Sequence, residues 1–337
     1  MNNTTNSTAR SINDSLNIVA IVVYSFACIL GCIGNGLVIW ITGFKMKKTA
    51  NTVWFLNLAI ADFIFTTFLP LTIIYTANGY NWIFGKFMCQ FNSLILCLTM
   101  FASVFLLTAI SVDRCVAVVA AVWSQSYRSP RTASIACFIV WLLAVVLGIP
   151  YAAYRDLRVT PNKIMCAINY SSDVNVVMYR RGTLTIIRFL CGFLIPLIII
   201  ILCYSAIIWR YNNLQRQRCF KPFRIIVAVI VTFFICWAPF HIIQLLTLKS
   251  TNSTDTLYKV IRIGNPIVTS IAFLNSCLNP VLYVCMCQDF RHKFKKSVLL
   301  VLESAFTEEG LMSQLSQRRP TVQMESLVSL QKKNSIS

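Results

Sequence analysis

The chain has 337 residues, and 57% of them are hydrophobic, whereas soluble globular domains average about 45–50%. The formal net charge is +19, but the basic residues are scattered through the loops between apolar segments. A nucleic-acid-binding protein would concentrate them on one face. The composition therefore predicts an integral membrane protein and argues against nucleic acid as a partner.

Seven apolar segments are long enough to cross a bilayer as helices, which takes about 20 residues each. They lie at about 18–43, 52–77, 87–119, 132–151, 184–210, 223–248 and 258–286. The first is too long for the hydrophobic region of a signal peptide, so we expect it to remain in the mature chain. The fold class predicted is an all-α membrane protein, a bundle of seven transmembrane helices spanning 18–286.

Residues 1–17 are polar and contain a cluster of Asn-x-Ser/Thr acceptors for glycosylation. Lys and Arg also modestly favour the loops on the opposite side of the membrane. We therefore predict that the amino terminus is outside and the carboxyl terminus is cytoplasmic. The glycosylation candidates are Asn3, Asn6 and Asn13.

Two acidic residues lie inside the predicted spans. Asp62 is in the middle of the second span, and Ser103, Asn275 and Asn279 could join it from other helices. An oxygen cage with one carboxylate suits a small hard cation such as sodium. The alternative is a hydrogen-bonded structural carboxyl.

The other acidic residue, Asp113, is adjacent to Arg114 at the inner end of the third span. Neighbouring helical residues point about 100° apart, so Arg114 can turn inward while Asp113 pairs beside it. A buried pair of this kind can be released by a partner, which makes a two-state element plausible.

Three further features bear on shape and switching. Pro239 and Pro280 should kink the sixth and seventh spans, because proline removes a helical hydrogen bond. Trp237 and His241 lie beside the first kink. Cys89 and Cys166 both fall on the oxidising side, where disulfides persist, so we expect them to pair and to pin the longest outer loop over the bundle.

Several segments together resemble the rhodopsin-like G protein-coupled receptors. They are "GNGLVIW", "LNLAIADF", "DRC", "FxxCWAPF" and "NPVLY", in chain order. The resemblance implies a short amphipathic helix at 287–300 and a cytoplasmic tail at 301–337, expected to be disordered and to recruit arrestin when phosphorylated. The sequence also lacks the serine–histidine pair, paired aspartates or HExxH motif of an intramembrane protease, so we expect that the chain is not an enzyme.

The resemblance implies roles for individual residues as well. Asp62, Ser103 and Asn275 would form a sodium site, and Asp113–Arg114 would form an ionic lock that faces the G protein. Trp237 would act as a toggle beneath the ligand. Tyr204 and Tyr283 would stabilise the active state.

A narrower resemblance rests on "GFKMKKTANTVWFLNLAIADF" and "AFLNSCLNPVLYV". These segments are similar to the branch that holds formyl-peptide, chemerin-type and chemoattractant-type prostaglandin D receptors. The branch implies a plasma-membrane protein surrounded by membrane lipids, coupling to inhibitory G proteins, and roles in chemotaxis and the inflammatory response.

Arg188 interrupts the fifth span in "TIIRFLCGFLIP". A charge at the bilayer centre costs about 2.5–3.5 kcal/mol on insertion scales, so such residues usually face an interior and serve a function. Guanidinium binds carboxylate or phosphate through two hydrogen bonds. We therefore expect Arg188 to bind an anionic agonist. The outer loop "YRDLRVTPNKIMC" resembles that of the prostaglandin D branch, which implies that its Arg155 is a second contact.

The sequence favours a small lipid acid of prostaglandin type, with a peptide chemoattractant as the alternative. Cys97 stands where formyl-peptide receptors carry an aspartate, and the outer loop resembles that of the prostaglandin D branch. The remaining residues predicted to line the ligand site are Phe91, Leu96, Met100, Phe240, His241 and Phe273. The hypothesis that the chain is a transporter is less well supported, because the sequence shows no internal repeat.

Overall fold

A computed structural model describes residues 2–213, 221–249 and 256–286, with side chains described for 14–210, 226–249 and 256–281. Seven of its helical segments are long and apolar enough to cross a membrane. They run over Asp14–Lys45, Ala50–Ala77, Gly85–Val119, Pro130–Ala153, Val174–Arg210, Ile226–Leu246 and Thr256–Val281. The predicted seven-helix bundle is confirmed.

The bounds of the individual elements follow the same order. The helices are α1 Asn2–Trp40, α2 Ala50–Ala77, α3 Gly85–Val119, α4 Ala121–Tyr127, α5 Pro130–Ala153, α6 Val174–Phe189, α7 Ile195–Asn213, α8 Lys221–Leu246 and α9 Thr256–Met286. A π-helical turn, Ile41–Lys45, continues α1, and a second one, Leu190–Leu194, joins α6 to α7 into the fifth span. Strands β1 Arg155–Thr160 and β2 Lys163–Ile168 form an antiparallel hairpin between α5 and α6.

Capping residues explain where several helices begin. Thr49 and Thr52 form a capping box at the start of α2. Ser129 accepts a hydrogen bond from the Thr132 backbone at 3.2 Å, and Pro130 occupies the first turn of α5. Asp173 accepts from the Asn175 backbone at 2.8 Å at the start of α6.

Two helices extend beyond the apolar segments that predicted them. The first begins at Asn2 rather than near residue 18, and the fifth span begins at Val174 rather than near residue 184. Hydropathy detects the part of a helix that needs lipid, whereas the cap at Asp173 starts the helix in a polar region. The predicted glycosylation sites lie in the part of α1 whose side chains are outside those described, and the predicted helix 287–300 and tail 301–337 also lie outside.

The centre of the bundle is α3, whose Phe101, Leu106 and Leu107 are fully buried. Close packing elsewhere depends on small side chains and on buried amides. A Cβ on Gly31 would lie 2.3 Å from Thr66 Cγ2, so glycine is what allows α1 and α2 to approach at this level. Asn35, which is fully buried, donates to the Ser276 carbonyl at 2.8 Å and so connects α1 to α9.

The hairpin is fixed to one end of the bundle, which we call the outer end. A disulfide joins Cys89 at the start of α3 to Cys166 in β2, as predicted, with 5.7 Å between the Cα atoms. The Trp82 backbone donates to the Ile164 carbonyl at 2.7 Å, and Gln90 donates to the Arg155 carbonyl at 3.1 Å. These contacts hold β1 and β2 against the top of α3.

We expect Cys166→Ser to lower the stability of the purified protein by about 2–4 kcal/mol, because the disulfide closes a loop across 77 residues. The measurement is thermal unfolding in detergent. The Cys89→Ser/Cys166→Ser double variant should lose no more than either single variant, since both remove the same bond. Cys191→Ser, at a free cysteine of the fifth span, is the matched control. Equal melting of Cys166→Ser and Cys191→Ser would contradict the prediction.

Candidate functional site

A cavity of about 270 Å³ opens among the spans below the hairpin. Its walls come from α2, α3, α5, α6, α8 and α9, and Cys166 and Ile168 of β2 line it together with the loop residues Trp82 and Tyr170. Six of the eight residues predicted to bind the ligand line this cavity. They are Leu96, Met100, Arg155, Arg188, Phe240 and Phe273.

The other two predicted ligand residues do not line the cavity. Phe91 instead packs between Phe87 and Phe68, with ring centroids 5.6 and 5.5 Å away. The cavity-facing stripe of α3 runs through Asn92, Ser93, Leu96, Cys97 and Met100. Phe91 falls off that stripe, because helical residues share a face only at spacings of three and four.

His241 was also predicted to line the ligand site, but it does not line the cavity. Its side chain is 2% exposed and is enclosed by the rings of Phe189, Phe193, Trp237 and Phe240, with centroids 5.0–6.3 Å away. On α8 the cavity face runs through Trp237 and Phe240. His241, one residue further on, turns toward the fifth span.

Arg188 lies on the cavity wall, as its charge led us to expect. Its guanidinium carbon is 4.2 Å from the centroid of the Tyr151 ring, and Nη2 is 3.7 Å from Cys97 Sγ. The Tyr151 hydroxyl donates to the Leu184 carbonyl at 2.7 Å, which fixes the ring one turn before Arg188. Arg188 Nε is buried and has no hydrogen-bond partner. A cation–π contact stabilises the charge only partly, so the group is prepared for an anion.

Arg155, at the start of β1, contributes a second guanidinium. It donates to Ser93 Oγ at 3.2 Å and to the Cys166 carbonyl at 3.3 Å. Burial lowers the pKa of Arg155; Cys97 opposes that shift, whereas the like charge of Arg188 adds to it. Two cations held near each other favour the binding of an anion between them.

The cavity has no acidic residue among its lining side chains. Across the described side chains, the ion pairs within 4.0 Å involve only Asp113 and Asp156, and neither Arg188 nor Arg155 takes part. Arg181, which lies nearly two turns before Arg188, instead donates to the Thr247 carbonyl at 2.8 Å. The positive charge of the cavity is therefore not neutralised by an acidic side chain among the described residues.

Other lining residues were missed by sequence reasoning. The helical spacing of the α3 stripe could have indicated Asn92 and Ser93. Tyr151 and Tyr154, three residues apart at the end of α5, carry a weaker signal. The loop residues Trp82 and Tyr170 carry none, because their position depends on how the hairpin folds back.

The residues predicted to bind sodium are all buried within the spans, and Asp62 bonds to two residues of α9. Asn279 Nδ2 donates to Asp62 Oδ2 at 2.7 Å, and Ser276 also hydrogen-bonds to this carboxylate. Asp62, Ser103, Asn275 and Asn279 are each at most 5% exposed. The Oδ1 atoms of Asn275 and Asn279 have no partner. A carboxylate beside unpartnered amide oxygens fits the ligand preference of a small hard cation.

The predicted Asp113–Arg114 pair is present at the inner end of the bundle, but it is the weaker of two ion pairs made by Asp113. Asp113 bonds mainly to Arg128, whose Nε is 3.0 and 3.1 Å from the two carboxylate oxygens. Arg114 Nε is 3.8 Å from Asp113 Oδ2. Arg114 and Arg128 both donate to Asn51 Oδ1. The sequence missed Arg128 and Asn51 because neither is close to Asp113 along the chain.

The remaining predicted switch residues occupy suitable positions. Trp237 lines the floor of the cavity and stacks on Phe233 at 5.9 Å. Pro239 and Pro280 lie within α8 and α9. Tyr204 on α7 lies close enough to Arg114 for their charges to interact. Tyr283 belongs to α9, but its side chain is outside those described.

Comparison with known proteins places the chain among membrane receptors. The model of the family "7 transmembrane receptor (rhodopsin family)" matches residues 34–283. Chemerin-like receptor 1 of Homo sapiens is 46% identical over 305 residues, which cover 87% of this chain and 81% of that receptor. The C3a anaphylatoxin chemotactic receptor of Danio rerio is 40% identical over 323 residues, 96% of this chain and 86% of that receptor. Chemerin-like receptor 2 of Rattus norvegicus is 38% identical over 309 residues, covering 92% and 87%.

We propose that Asp62, Ser103, Asn275 and Asn279 bind sodium, and we expect sodium to stabilise the protein. Thermal unfolding should occur at a higher temperature in sodium chloride than in the same concentration of choline chloride. A ligand present at about a hundred times its dissociation constant adds about 2.7 kcal/mol. The Asp62→Asn variant should lose this difference. Asp156→Asn is the control, because it removes a carboxylate of the outer hairpin, away from the cluster. A sodium effect that persists in Asp62→Asn would refute the site.

Proposed function

Because the chain belongs to the rhodopsin family of seven-transmembrane receptors and is similar to chemoattractant receptors throughout its bundle, we propose that it is a receptor for a chemoattractant peptide whose terminal carboxylate binds Arg188. The observation that supports this most directly is the pair of guanidiniums, Arg188 and Arg155, on a cavity wall that has no acidic residue. A carboxylate bound there would gain two-fold hydrogen bonding in a site of reduced solvent exposure.

The comparisons favour a peptide over the lipid acid that the sequence suggested. The relatives are named for chemerin and for the C3a anaphylatoxin, and none of the three reported is named for a prostaglandin. The outer loop that resembles the prostaglandin D branch contributes Arg155 as a carboxylate contact, and a peptide terminus would use that guanidinium equally well.

The neutral part of the cavity supports the same choice. Trp237 Nε1 and Asn92 Oδ1 are buried, line the cavity and have no hydrogen-bond partner. An unpaired buried polar group costs about 1–3 kcal/mol, which a hydrocarbon tail would leave uncompensated. Peptide amides offer both a donor and an acceptor. A peptide is also long enough to extend from Arg188 past Ile168 and Tyr170, which line the cavity at its outer end.

Signal transfer would start at the cavity floor. A ligand on Arg188 would contact Trp237 and Phe240, which lie on either side of Pro239 in α8. A shift of α8 about Pro239 would open the inner end. Arg114 would then leave Asn51 and face the G protein.

The remaining functional assignments extend this proposal. We place the amino terminus outside the plasma membrane, with glycans at Asn3, Asn6 and Asn13, and the tail 301–337 in the cytoplasm. The partners would be an inhibitory G protein and, after phosphorylation of the tail, arrestin. These assignments rest on the branch to which the chain is similar.

We expect Arg188→Gln to reduce the potency of a carboxylate-terminated peptide agonist. Removing one partner of a buried ion pair costs about 2 kcal/mol or more, which corresponds to roughly a 30-fold loss. The measurement is inhibition of cyclic AMP synthesis in cells, with chemerin-derived and C3a-derived peptides as agonists. The same peptides with an amidated carboxyl terminus should be weak on the parent receptor and should lose little more on Arg188→Gln.

Two control variants separate the site from the fold. Arg158→Gln removes an exposed guanidinium of the same hairpin that carries Arg155, and we expect it to have little effect. Arg188→Lys keeps the charge but loses the two-fold geometry, so its potency should be intermediate. Surface expression is measured for each variant. Full potency of Arg188→Gln toward every carboxylate agonist would refute the proposal. Activation by prostanoids but by none of the peptides would favour a lipid acid as the ligand instead.

The inner end gives an independent prediction. Arg128→Gln should raise agonist-free GDP–GTP exchange on an inhibitory G protein several-fold, and about as much as Asp113→Asn. Both changes remove the ion pair that keeps Asn51, Arg114 and Arg128 together. Arg131→Gln, an exposed charge three residues away, is the matched control. If Arg131→Gln and Arg128→Gln have equal basal exchange, the assignment of Arg128 to the switch is wrong.

A further inference from the structure

A free thiol lies on the cavity wall beside the two guanidiniums. Cys97 is half-buried, forms no disulfide and lines the cavity. Its sulfur is 3.7 Å from Arg188 Nη2, and Arg155 is close enough to interact with it electrostatically. The other described hydrogen-bonding contacts of free cysteines are with a hydroxyl (Cys32), a backbone carbonyl (Cys277) or another thiol (Cys28 with Cys32, Cys115 with Cys203), so the Arg contact sets Cys97 apart.

The surroundings of the thiol have unused polar groups that indicate a ligand. Arg188 Nε is buried without a partner. Trp237, which lines the same cavity and is only 6% exposed, has a buried Nε1 group without a hydrogen-bond partner. The nucleophile therefore lies in a place where a ligand is expected on independent grounds, and not on an isolated surface.

We propose that Cys97 is a covalent modification site for electrophiles that carry a carboxylate, with the carboxylate held by Arg188 and the electrophilic carbon presented to the sulfur. This inference rests on the proposed role of Arg188 as a carboxylate-binding residue. The chemical class is an α,β-unsaturated carbonyl compound with an acidic group a few bonds away. Holding two reactants next to each other raises their effective concentration and thus the rate of bond formation.

The reaction balances without an oxidant or a second substrate. The Cys97 thiol loses its proton to water, and the sulfur forms a bond to the β-carbon of the unsaturated carbonyl. The carbon–carbon double bond breaks, its electron pair becomes an enolate, and the enolate takes a proton from water at the α-carbon. The net change is addition of S–H across the double bond, and the thiolate is the reacting species.

The acid group is what confers selectivity. A neutral electrophile would reach Cys97 by collision alone, as it reaches any accessible thiol. An anionic one would first pair with Arg188, whose Nη2 already touches the sulfur. Cys191 offers an internal comparison. It is a free, half-buried cysteine of the fifth span, the span that carries Arg188, and it does not line the cavity.

The test uses three maleimides that differ in charge: maleimidoacetic acid, N-ethylmaleimide and aminoethyl maleimide. The full-length receptor in detergent is labelled with each, and the rate at each cysteine is measured by peptide mass spectrometry. We expect the acid-to-neutral rate ratio at Cys97 to exceed that at Cys191 by roughly tenfold, the size of one favourable ion pair. The cationic reagent should be slower than the neutral one at Cys97.

The Arg188→Gln variant then identifies the cause. Its acid-to-neutral ratio at Cys97 should fall to that at Cys191, while its rate with N-ethylmaleimide stays within about twofold of the parent, showing that the thiol remains accessible. Cys97→Ser confirms the peptide assignment. An equal ratio at the two cysteines of the parent receptor, a ratio that survives Arg188→Gln, or a Cys97 that none of the three reagents labels would each overturn the inference.

Labelling and signalling fail separately. The labelling rates need neither an agonist nor a G protein, so an unselective Cys97 in a receptor whose peptide response depends on Arg188 would refute the modification site alone. A selective Cys97 in a receptor whose peptide response ignores Arg188 would instead refute the peptide assignment and leave the anion-directed thiol in place.

Discussion

Arg188 keeps a guanidinium inside a membrane span, where desolvation is expensive, and among the described side chains it pairs with no carboxylate. The surrounding residues compensate only in part. The face of Tyr151 stabilises the cation, and the position of that ring depends on its bond to the Leu184 carbonyl. The rest of the compensation has to come from an open, polar cavity, so the bundle must remain hollow at this level. The disulfide between Cys89 and Cys166 serves that requirement by fixing the hairpin, and with it Arg155, across the outer part of the cavity.

The charges of the buried arginines are compensated differently at the two ends of the bundle. At the outer end two cations lack an acid among the described side chains, and the proposed ligand would supply the missing charge. At the inner end Asp113 already pairs with Arg128 and lies near Arg114, while Asn51 accepts from both arginines. These contacts hold the inner end together in this state, so separating them requires energy, although the buried Arg114 Nε has no hydrogen-bond partner. Binding of an anion above, transmitted through the proline-containing helix α8, is a physically reasonable source of that energy.

The sequence correctly predicted the features that depend on the hydropathy of a long segment. It predicted less well the features that depend on which face of a helix a residue occupies. Hydropathy located all seven spans, because about 20 consecutive apolar residues leave few alternatives. The face of each helix was less secure: Phe91 lies on the same helix as Leu96 but points to Phe68, and His241 is turned away from the cavity that Trp237 lines. Arg128 was missed for another reason. It is fifteen residues from Asp113, and only the fold of the short helix α4 brings the two together.

The ligand class shows why a sequence can identify a binding charge and still leave its partner open. A lipid acid and a peptide terminus present the same carboxylate, so Arg188 and Arg155 recognise both. The groups that separate the two are neutral, namely the indole nitrogen of Trp237 and the amide oxygen of Asn92. Their meaning depends on whether other side chains already satisfy them, which a residue string does not record. In the structure both are buried and unpartnered. A ligand rich in amides can therefore pair with groups that an acyl chain would leave unsatisfied, and the balance between the two classes is decided by polar satisfaction below the carboxylate rather than by the carboxylate itself.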